Sequence, residues 1–192
     1  MPHTTKSALR KHLRDARRTH VAVQPEATRA LLFNRPPRPL IARFSETCVI
    51  GLYSANAEEA PASGYARFFY EEGHRIALPF FAERGAAMQF REHADPFDET
   101  DLSAGPFGIL QPPASAALLI PDIVFVPLIG VTADGDRLGQ GGGHYDRWLA
   151  EHPGRMAIGL AWDVQVVDAV PCEPHDMQLD AVITPTRMYG LD

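Results

Sequence analysis

Apolar residues recur along this chain with two different spacings, and these spacings divide it into helices and strands. Leu9, Leu13 and Ala16 follow one another at steps of three to four, which predicts a helix over residues 6–21 with Thr4 or Thr5 as its cap. The same spacing predicts a helix from residue 145 onward. Pro25, a tolerated first-turn residue, predicts a helix over residues 25–33, and a further helix is predicted over residues 62–72, ending at Gly73.

Short apolar runs rich in β-branched residues alternate with these helices. The clearest run is Ile123-Val124-Phe125-Val126, and similar runs occupy residues 47–53, 75–79, 88–91, 156–161 and 181–184. Strands that are apolar on both faces belong to parallel sheets covered by helices on both sides. The pattern therefore predicts an α/β fold with a mostly parallel sheet, while residues 94–113, rich in Asp, Gly and Pro, are predicted to be irregular.

Length and composition narrow the class of protein. A chain of 192 residues, 45% of them hydrophobic, is large enough to bury one core, and we predict a single domain over residues 1–192. The net charge of −6 argues against a nucleic-acid binder, whose affinity would depend on neutralising many phosphates. Two cysteines without a Cys-x-x-Cys pair provide neither a disulfide framework nor a zinc site.

The sequence contains no segment that predicts attachment to a membrane. No apolar run approaches the roughly 20 residues needed to span a bilayer. Residues 1–18 are basic but lack the apolar region of a signal peptide. We therefore expect a cytoplasmic protein.

The most informative stretch is residues 134–147, Asp-Gly-Asp-Arg-Leu-Gly-Gln-Gly-Gly-Gly-His-Tyr-Asp-Arg. A glycine-rich turn can direct several backbone N–H groups at one point, and the dipole of the following helix adds attraction for an anion. Arg137 and Arg147 add positive charge at its rims. There is no P-loop Gly-Lys-Ser/Thr and no dinucleotide fingerprint directly after a strand, so the stretch predicts a site for a phosphorylated small molecule. The alternative is a tight turn without a ligand.

Two other groups of charged residues are either parts of a ligand site or simply solvated. Lys6, Arg10, Arg14 and Arg18 lie at steps of four along the first predicted helix, where like charges repel by a few tenths of a kcal/mol per pair. They form either a solvated face or a face whose first turns reach a polyphosphate. Glu58 and Glu59 follow the first strand, at the edge where α/β sheets place ligand groups, although a carboxylate in a loop is more often simply hydrated.

Residues 137–147 closely resemble the signature of the 5-formyltetrahydrofolate cyclo-ligase family, also called 5,10-methenyltetrahydrofolate synthetases. Further segments resemble that family in the same order: Lys6-Ser7-Ala8-Leu9-Arg10, Leu78-Pro79, Phe107-Gly108-Ile109, Glu173-Pro174-His175-Asp176 and residues 179–185. The resemblance implies a three-layer α/β/α sandwich with a mostly parallel sheet, of the NagB/RpiA/CoA-transferase-like kind.

The resemblance also implies a reaction. ATP and Mg²⁺ would support closure of 5-formyltetrahydrofolate to 5,10-methenyltetrahydrofolate, with release of ADP and phosphate. The formyl oxygen is phosphorylated, the neighbouring amine attacks the activated carbon, and phosphate leaves. Such a protein must align the formyl oxygen with the γ-phosphorus and stabilise the transferring charge. The implied partners are a reduced folate and ATP, and we expect a monomer.

Carried over by position, the resemblance assigns roles to individual residues. Arg137 and Lys6 are the implied catalytic cations. The implied ATP-binding residues are Lys6, Ser7, Ala8, Leu9, Arg10, Arg14, Arg137, Leu138, Gly139, Gln140, Gly141, Gly142, Gly143, His144 and Tyr145. The implied folate-binding residues are Tyr53, Glu59, Gln140, Gly141, Gly142, Gly143, His144 and Tyr145, with Met88 and Phe90 as candidates that core packing explains equally well.

Asp146 and Asp180 are the implied Mg²⁺ ligands, since this ion prefers a few carboxylates together with phosphate oxygens. Without the resemblance, Asp146 is equally well explained as a helix cap and Asp180 as part of a turn at the edge of a strand.

Several positions depart from the family pattern, and two other classes of protein remain open. His144 stands where a tyrosine is common, and Gln111 stands where a glutamate is usual. Val131-Thr132 and Ala60-Pro61-Ala62 also differ from the family. The alternatives are a non-catalytic folate- or nucleotide-binding regulator on the same fold and a sugar-phosphate isomerase that needs no ATP. The presence of both implied Mg²⁺ ligands, Asp146 and Asp180, together with Lys6, Arg10 and Arg137 favours a catalytic protein over these alternatives.

Overall fold

The computed structural model describes residues 5–190. Its helices are α1 (Lys6–Ala22), α2 (Glu26–Leu32), α3 (Arg38–Ile41), α4 (Ser63–Glu71) and α5 (His144–Glu151), with a 3-10 turn at Asp163–Gln165. Its strands are β1 (Val49–Gly51), β2 (Arg75–Phe80), β3 (Gln89–Glu92), β4 (Ser103–Ala104), β5 (Leu110–Gln111), β6 (Leu118–Leu119), β7 (Ile123–Val126), β8 (Gly130–Val131), β9 (Arg137–Leu138), β10 (Met156–Leu160), β11 (Ala181–Ile183) and β12 (Met188–Tyr189).

Eight strands form one sheet in the order β12-β11-β10-β7-β1-β2-β3-β6. The five central strands, from β11 to β2, are parallel. The edge strands β12, β3 and β6 are antiparallel to their neighbours. The predicted α/β fold with a mostly parallel sheet is confirmed, and each predicted helix and main strand has a counterpart within a few residues.

Several short elements were not predicted. The two-stranded sheet β4–β5 lies inside the stretch expected to be irregular, and α3 lies in the proline-rich segment that follows α2. The hairpin β8–β9 has only two residues in each strand. Strands of this length are too short to show an alternation of apolar and polar residues, so the sequence pattern does not reveal them.

Residues of the central strands alternate between two apolar cores, one on each face of the sheet. Phe125 of β7 packs with Tyr65 and Phe69 of α4, whereas its neighbours Val124 and Val126 belong to the core that contains Trp148 of α5. Helices therefore cover both faces, which gives the three layers that the resemblance implied. No helix within residues 5–190 is both long enough and apolar enough to cross a bilayer.

Replacing Phe125 by alanine is expected to destabilise the protein by about 3–5 kcal/mol, because a large ring would be lost from a close-packed core. Phe125 is fully buried and contacts the rings of Tyr65 and Phe69 at centroid distances of 5.6 and 5.9 Å. Denaturant unfolding measures the effect. Phe97, 56% exposed, provides a matched control, since Phe97→Ala should change the free energy of unfolding by about 0.5 kcal/mol or less. Equal losses in both variants would contradict this description of the core.

Helix α1 is fixed against the hairpin β8–β9 by apolar contacts. Its N-cap is Thr5, whose hydroxyl accepts a hydrogen bond from the Ala8 amide at 3.2 Å; the other predicted cap, Thr4, lies outside the described residues. Leu13 packs in a small core with Ile129 and Leu138. A Cβ atom on Gly130 would lie only 2.4 Å from Leu13 Cδ1, so glycine at this position allows the close approach. The contact places the basic face of α1 beside the residues that follow β9.

Candidate ligand-binding site

A cavity of about 690 Å³ opens at the carboxyl ends of the central strands. Tyr53 lines it after β1, Phe81 after β2 and Pro127 after β7. The hairpin β8–β9 delivers a further wall, residues 139–143, which we call the glycine turn. Open α/β sheets bind their ligands at this edge, so the topology and the cavity identify the same candidate site.

The glycine turn presents backbone N–H groups that have no partner in the described part of the chain. No hydrogen bond within residues 5–190 has an amide of residues 139–143 as its donor. Gly141 has φ +108° and Gly143 has φ +62°, which residues with a side chain rarely adopt. Helix α5 begins immediately afterwards, with Gly143 as its N-cap. Five consecutive amides without a partner at a helix amino end form a binding surface for an anion.

Arginine side chains of α1 donate hydrogen bonds to the carbonyl groups of the same turn. Arg10 Nε donates to the carbonyl oxygen of Gly139 at 2.9 Å, and Arg14 donates to the side chain and carbonyl oxygens of Gln140 at 2.9 and 3.4 Å. These bonds hold the carbonyl groups and leave the amides available. They also offset part of the repulsion along α1, and they show that this basic face lies on the glycine turn.

Lys6 lies at the rim of the cavity in an ion-pair cluster with the segment near residue 175. Its Nζ donates to Glu173 Oε2 at 2.5 Å and to Asp176 Oδ2 at 2.6 Å. Burial opposes the charge of Lys6, but the hydrogen bonds with Asp176 and Glu173 outweigh it and raise the pKa of Lys6. Burial likewise opposes the charge of Asp176, yet Lys6 holds the pKa of that carboxyl below its ordinary value. Both groups are therefore charged at neutral pH.

Arg137 is a buried cation in the cavity wall. Its side chain is 4% exposed, and Nη2 donates to Asp146 Oδ1 at 2.5 Å. Asp146 Oδ1 also accepts the amide of Met177 at 3.1 Å. The Nε atom of Arg137 is buried without a hydrogen-bond partner in the described chain, which leaves donor capacity for a ligand.

Glu59 supplies a buried carboxylate to the lining of the same cavity. Its side chain is 9% exposed and accepts hydrogen bonds from the Asn56 amide at 3.0 Å and from Gln140 Nε2 at 3.2 Å. The neighbouring Glu58 does not line the cavity and pairs instead with Arg18 at 3.1 Å. Arg17, only 3% exposed, lies 3.5 Å from Glu58 and 4.0 Å from Glu59. The positive charge of the buried Arg17 thus balances the negative charge of the Glu59 carboxylate.

Two tyrosines stand beside Glu59. The Tyr53 hydroxyl donates to the carbonyl oxygen of Ala60 at 2.6 Å, which fixes its ring in the cavity wall. Burial and the carboxylate of Glu59 raise the pKa of Tyr145 far above its ordinary value, so its phenol stays protonated. Burial and Glu59 also raise the pKa of Tyr53. The wall around Glu59 is therefore apolar apart from a small number of fixed hydrogen-bonding groups.

Three rings form the outer wall of the cavity, and we call Phe81, Phe107 and His144 the aromatic box. Phe81 lies 4.9 Å from Phe107 and 4.8 Å from His144, and Phe107 lies 5.5 Å from His144, measured between ring centroids. Gln111 holds Phe81 by accepting from its amide and donating to its carbonyl, each at 3.1 Å. A glutamate could not make that donation when ionised, so the departure from the family at position 111 has a structural role here.

Not every predicted site residue lies in the cavity. Ser7 and Ala8 are exposed on α1, Leu9 packs against Leu13 in the small core, and Arg14 contacts the glycine turn from outside. Met88 and Phe90 are buried in the core beneath α5 rather than in the cavity wall. The remaining residues proposed for ATP and folate, from Lys6 and Arg10 to Tyr53, Glu59 and residues 137–145, do line it.

The two aspartates proposed as metal ligands lie at different edges of the sheet. Asp146 lines the cavity, but Asp180 directly precedes β11 and accepts the amide of Ala157 at 2.7 Å, at the amino ends of the strands. The structure therefore does not support Asp180 as a partner of Asp146. Asp176 lines the cavity instead, and its ligand atoms lie within 4.8 Å of those of Glu173 and His175.

Sequence reasoning also missed Arg17, Phe81 and Phe107 as site residues. Arg17 stood among other arginines on a helix with nothing to mark it as buried. Phe81 follows a strand directly, and this position at the carboxyl edge of the sheet was a signal that could have identified it. Phe107 was noted only as part of a family landmark, since a ring in a loop carries no periodicity.

The site defines the class of protein. A parallel sheet, a turn of amides without partners in the described chain, flanked by buried and half-buried cations, and a cavity lined by tyrosines beside the carboxylate of Glu59 are features of an α/β protein suited to an anionic ligand beside a ring-containing one. The chain belongs to the 5-formyltetrahydrofolate cyclo-ligase family, whose model matches residues 2–185.

Individual relatives agree with that assignment. A 5-formyltetrahydrofolate cyclo-ligase of Mycolicibacterium smegmatis is 32% identical over 123 residues, which cover 61% of this chain and 63% of that protein. One of Escherichia coli is 30% identical over 126 residues, covering 62% and 68% respectively. The solution structure of an Aquifex aeolicus 5,10-methenyltetrahydrofolate synthetase superposes with a TM-score of 0.75 at 25% identity, over 97% of this chain and 92% of that one.

Proposed function

We propose that this protein uses ATP to close 5-formyltetrahydrofolate to 5,10-methenyltetrahydrofolate, releasing ADP and phosphate. The observation that carries the proposal is the presence, in the lining of one cavity, of five amides without partners in the glycine turn and of the buried carboxylate of Glu59. The amides suit a polyphosphate, and the carboxylate suits a heterocycle that donates hydrogen bonds. Membership of the family and the similarity to the Aquifex structure support the same substrates.

The nucleotide is proposed to lie along the glycine turn. Its phosphate oxygens would accept hydrogen bonds from the amides of residues 139–143 and would meet the charges of Lys6, Arg10 and Arg137, all of which line the cavity. The pairing of Lys6 with Asp176 and of Arg137 with Asp146 keeps both cations in place before the nucleotide arrives. Cations and N–H donors fixed in advance stabilise developing charge without reorganising during the reaction.

The folate is proposed to place its pterin against Glu59. A carboxylate that keeps its charge accepts two hydrogen bonds from adjacent N–H donors, as the amino-pyrimidine edge of a pterin provides. Arg17 lies 4.0 Å from Glu59, and Tyr53 and Tyr145 line the cavity around it. The formyl group would then face the glycine turn, which bounds both subsites through Gln140 and its neighbours.

In the proposed reaction the formyl oxygen attacks the γ-phosphorus, and ADP leaves. The neighbouring amine of the same folate attacks the activated formyl carbon, phosphate departs with the former formyl oxygen, and the amine proton is released to phosphate or solvent to leave the methenyl bridge. No covalent bond to the protein forms. The contribution of the chain is therefore to align the two ligands and to stabilise the charge on the phosphoryl group, chiefly through Arg137 and the turn amides.

The residues of the cavity fit the divalent cation that ATP chemistry requires. Asp146 and Asp176 both line the cavity, and each has one carboxylate oxygen, Oδ2 of Asp146 and Oδ1 of Asp176, that accepts no hydrogen bond from any residue of the range 5–190. Mg²⁺ prefers one or two carboxylates together with phosphate oxygens. When bound, it would neutralise charge on the phosphates of the nucleotide.

This assignment predicts different effects for three aspartates. Asp146→Asn and Asp176→Asn should each raise the Mg²⁺ concentration needed for half-maximal activity by roughly tenfold or more. Asp180→Asn, at the opposite edge of the sheet, should leave that concentration unchanged. Magnesium titration of the purified variants provides the measurement. If Asp180→Asn raised the Mg²⁺ concentration needed for half-maximal activity and Asp176→Asn did not, the ligands would be Asp146 and Asp180, as the resemblance implied.

The activity itself is tested by mixing the protein, Mg²⁺-ATP and 5-formyltetrahydrofolate and following the near-ultraviolet absorbance of the conjugated methenyl product. ADP should appear in equal amount. A regulator would bind both ligands without forming product, and a sugar-phosphate isomerase would bind neither folate nor ATP. A folded protein that binds the ligands but yields no product would overturn the enzymatic proposal.

We also propose that the enzyme acts as a monomer in the cytoplasm on small molecules, without binding nucleic acid. The net charge of −6 supports the expected absence of nucleic-acid binding. Sedimentation of the purified protein measures the oligomeric state.

A further inference from the structure

An arginine lies on the buried face of α1, where apolar side chains are expected. The buried residues of this helix are Leu13, Arg17 and Val21, which follow one another at steps of four. Arg17 is only 3% exposed, its Nε atom is buried without a hydrogen-bond partner in the described chain, and the bond from its Nη1 to the carbonyl oxygen of Leu128 is 3.5 Å long. Replacing buried ion pairs by apolar side chains often leaves stability unchanged or increases it, and an unpaired buried donor is costly. Stability therefore does not by itself explain the guanidinium.

The acidic partners of Arg17 lie in the loop that follows β1. Its Nη2 lies 3.5 Å from Glu58 Oε2, and its Nη1 lies 4.0 Å from Glu59 Oε1. Glu58 has Arg18 as a second partner, whereas no other cation of residues 5–190 lies within ion-pair distance of Glu59. Glu59 lines the cavity and Arg17 does not, so Arg17 approaches the carboxylate from the interior of the protein.

The backbone of this loop is held by other side chains. Trp162 Nε1 donates to the carbonyl oxygen of Glu58 at 3.0 Å, and Arg29 donates to the carbonyl oxygen of the preceding residue at 2.8 Å. These bonds fix the main chain but do not contact the Glu59 carboxylate. The loop should therefore keep its path when Arg17 is replaced, and the effect of the replacement should fall on the carboxylate.

Helix α1 connects the same carboxylate to the glycine turn. Arg10, whose Nε donates to the carbonyl oxygen of Gly139 at 2.9 Å, precedes Arg17 by seven residues of this helix. Seven residues are close to two helical turns, so the two arginines lie on the same side of α1, roughly 10 Å apart along its axis. Because the intervening turns are hydrogen-bonded helix, the contact between Arg17 and Glu59 sets the distance of this carboxylate from the glycine turn.

We propose that Arg17 is a positioning residue for the reaction: it orients the Glu59 carboxylate toward the cavity and, through α1, holds it at a fixed distance from the glycine turn. Arg17 itself touches neither ligand. This inference rests on the proposed function, because it takes the pterin to bind at Glu59 and the nucleotide at the turn. The formyl oxygen and the γ-phosphorus must be aligned for transfer, and one helix would align the groups that hold both ligands.

The test is a double-mutant cycle between Arg17 and Glu59, with folate affinity as the readout. 5-Formyltetrahydrofolate is titrated in the presence of Mg²⁺ and a non-hydrolysable ATP analogue. Arg17→Met keeps an unbranched side chain but removes the charge, and it should weaken folate binding by roughly tenfold, no more than Glu59→Gln does, because it acts through that carboxylate. In the Glu59→Gln background the same replacement should change the affinity by less than about twofold.

Control variants separate positioning from a general loss of structure. Arg18→Gln removes the exposed neighbour that pairs with Glu58 and should leave folate affinity within about twofold of normal. Arg17→Lys keeps the positive charge and should recover about half of the loss on a logarithmic scale. The affinity for the ATP analogue alone should stay within about twofold in every variant, because Arg17 does not line the cavity.

Each outcome has a distinct meaning. If Arg17→Met does not fold, Arg17→Lys takes its place in the cycle, and its smaller loss should again vanish in the Glu59→Gln background. Normal folate affinity in the Arg17 variant, equal losses with and without the Glu59 carboxylate, or an equal loss of affinity for the ATP analogue would overturn the positioning role and leave the proposed reaction in place. Failure of the unmodified protein to bind 5-formyltetrahydrofolate would overturn the proposed function itself.

Discussion

Replacing Arg137 by alanine is expected to lower the turnover number by two orders of magnitude or more, with the fold retained. Arg137 is the most deeply buried cation of the cavity wall, and its Nε has no partner in the described chain. Preorganised donors aimed at transferring charge contribute about 10²–10³ in rate where single donors have been removed from other enzymes. Steady-state kinetics of product formation measure the loss, and thermal unfolding reports whether the variant is folded.

A second arginine–aspartate pair provides the control for this variant. Arg155 donates to Asp122 at 2.6 Å and also has a buried Nε without a partner, but it lies at the amino end of the sheet, away from the cavity. Arg155→Ala removes a comparable ion pair and should leave turnover within about twofold of normal. Arg137→Lys keeps the charge but loses the forked geometry, so it should recover only part of the rate. Equal rates for Arg137→Ala and the unmodified protein would remove Arg137 from the reaction.

Replacing Glu59 by glutamine is expected to weaken folate binding by roughly 10- to 150-fold, which corresponds to the 1.5–3 kcal/mol of a hydrogen bond to a charged group. The neutral amide loses the charge that favours the pterin's N–H donors and presents a donor of its own toward them. The affinity for nucleotide should change less, because Arg137 pairs with Asp146 and not with Glu59. Calorimetric titration of each ligand separately measures both affinities.

Glu58→Gln is the natural comparison, since Glu58 lies in the same loop and also contacts Arg17, but is turned toward Arg18 and does not line the cavity. It should bind folate almost normally. Both variants are checked for stability, because each reduces the negative charge near the buried guanidinium of Arg17. If Glu59→Gln lost only nucleotide affinity, or if the two variants weakened folate binding equally, the pterin would have to be placed elsewhere.

Much of the architecture follows from local patterns in the sequence. The central strands are apolar runs because both faces are buried, and this property is visible residue by residue in Ile123–Val126. The glycine turn was a candidate from the sequence because glycines cluster next to a predicted helix start, although a tight turn without a ligand was the alternative. The contact between α1 and this turn required tertiary information, because Arg10 and Gly139 are 129 residues apart.

The side chains that the structure places differently from the sequence-based expectation have a common physical origin. Asp180 and Asp176 are four residues apart in a segment without helix or strand periodicity, so local pattern could not show which of them faces the cavity. In the structure Asp180 bonds to the start of β10, and Asp176 pairs with Lys6. Arg17 was similarly ambiguous among the basic residues of α1, and only the position of the loop that carries Glu59 shows why it is buried. Side-chain roles of this kind depend on contacts between distant segments.

The link between Lys6 and the pair Glu173 and Asp176 has a consequence for biosynthesis. Lys6 lies in the first turn of α1, and its partners follow 167 and 170 residues later. During synthesis on the ribosome, the residues of the glycine turn are therefore present before the ion-pair cluster of Lys6, Glu173 and Asp176 can form. Translation products that stop before these acids lack the contact that holds Lys6 at the cavity rim. They should therefore bind the proposed nucleotide more weakly than the chain that includes Glu173 and Asp176.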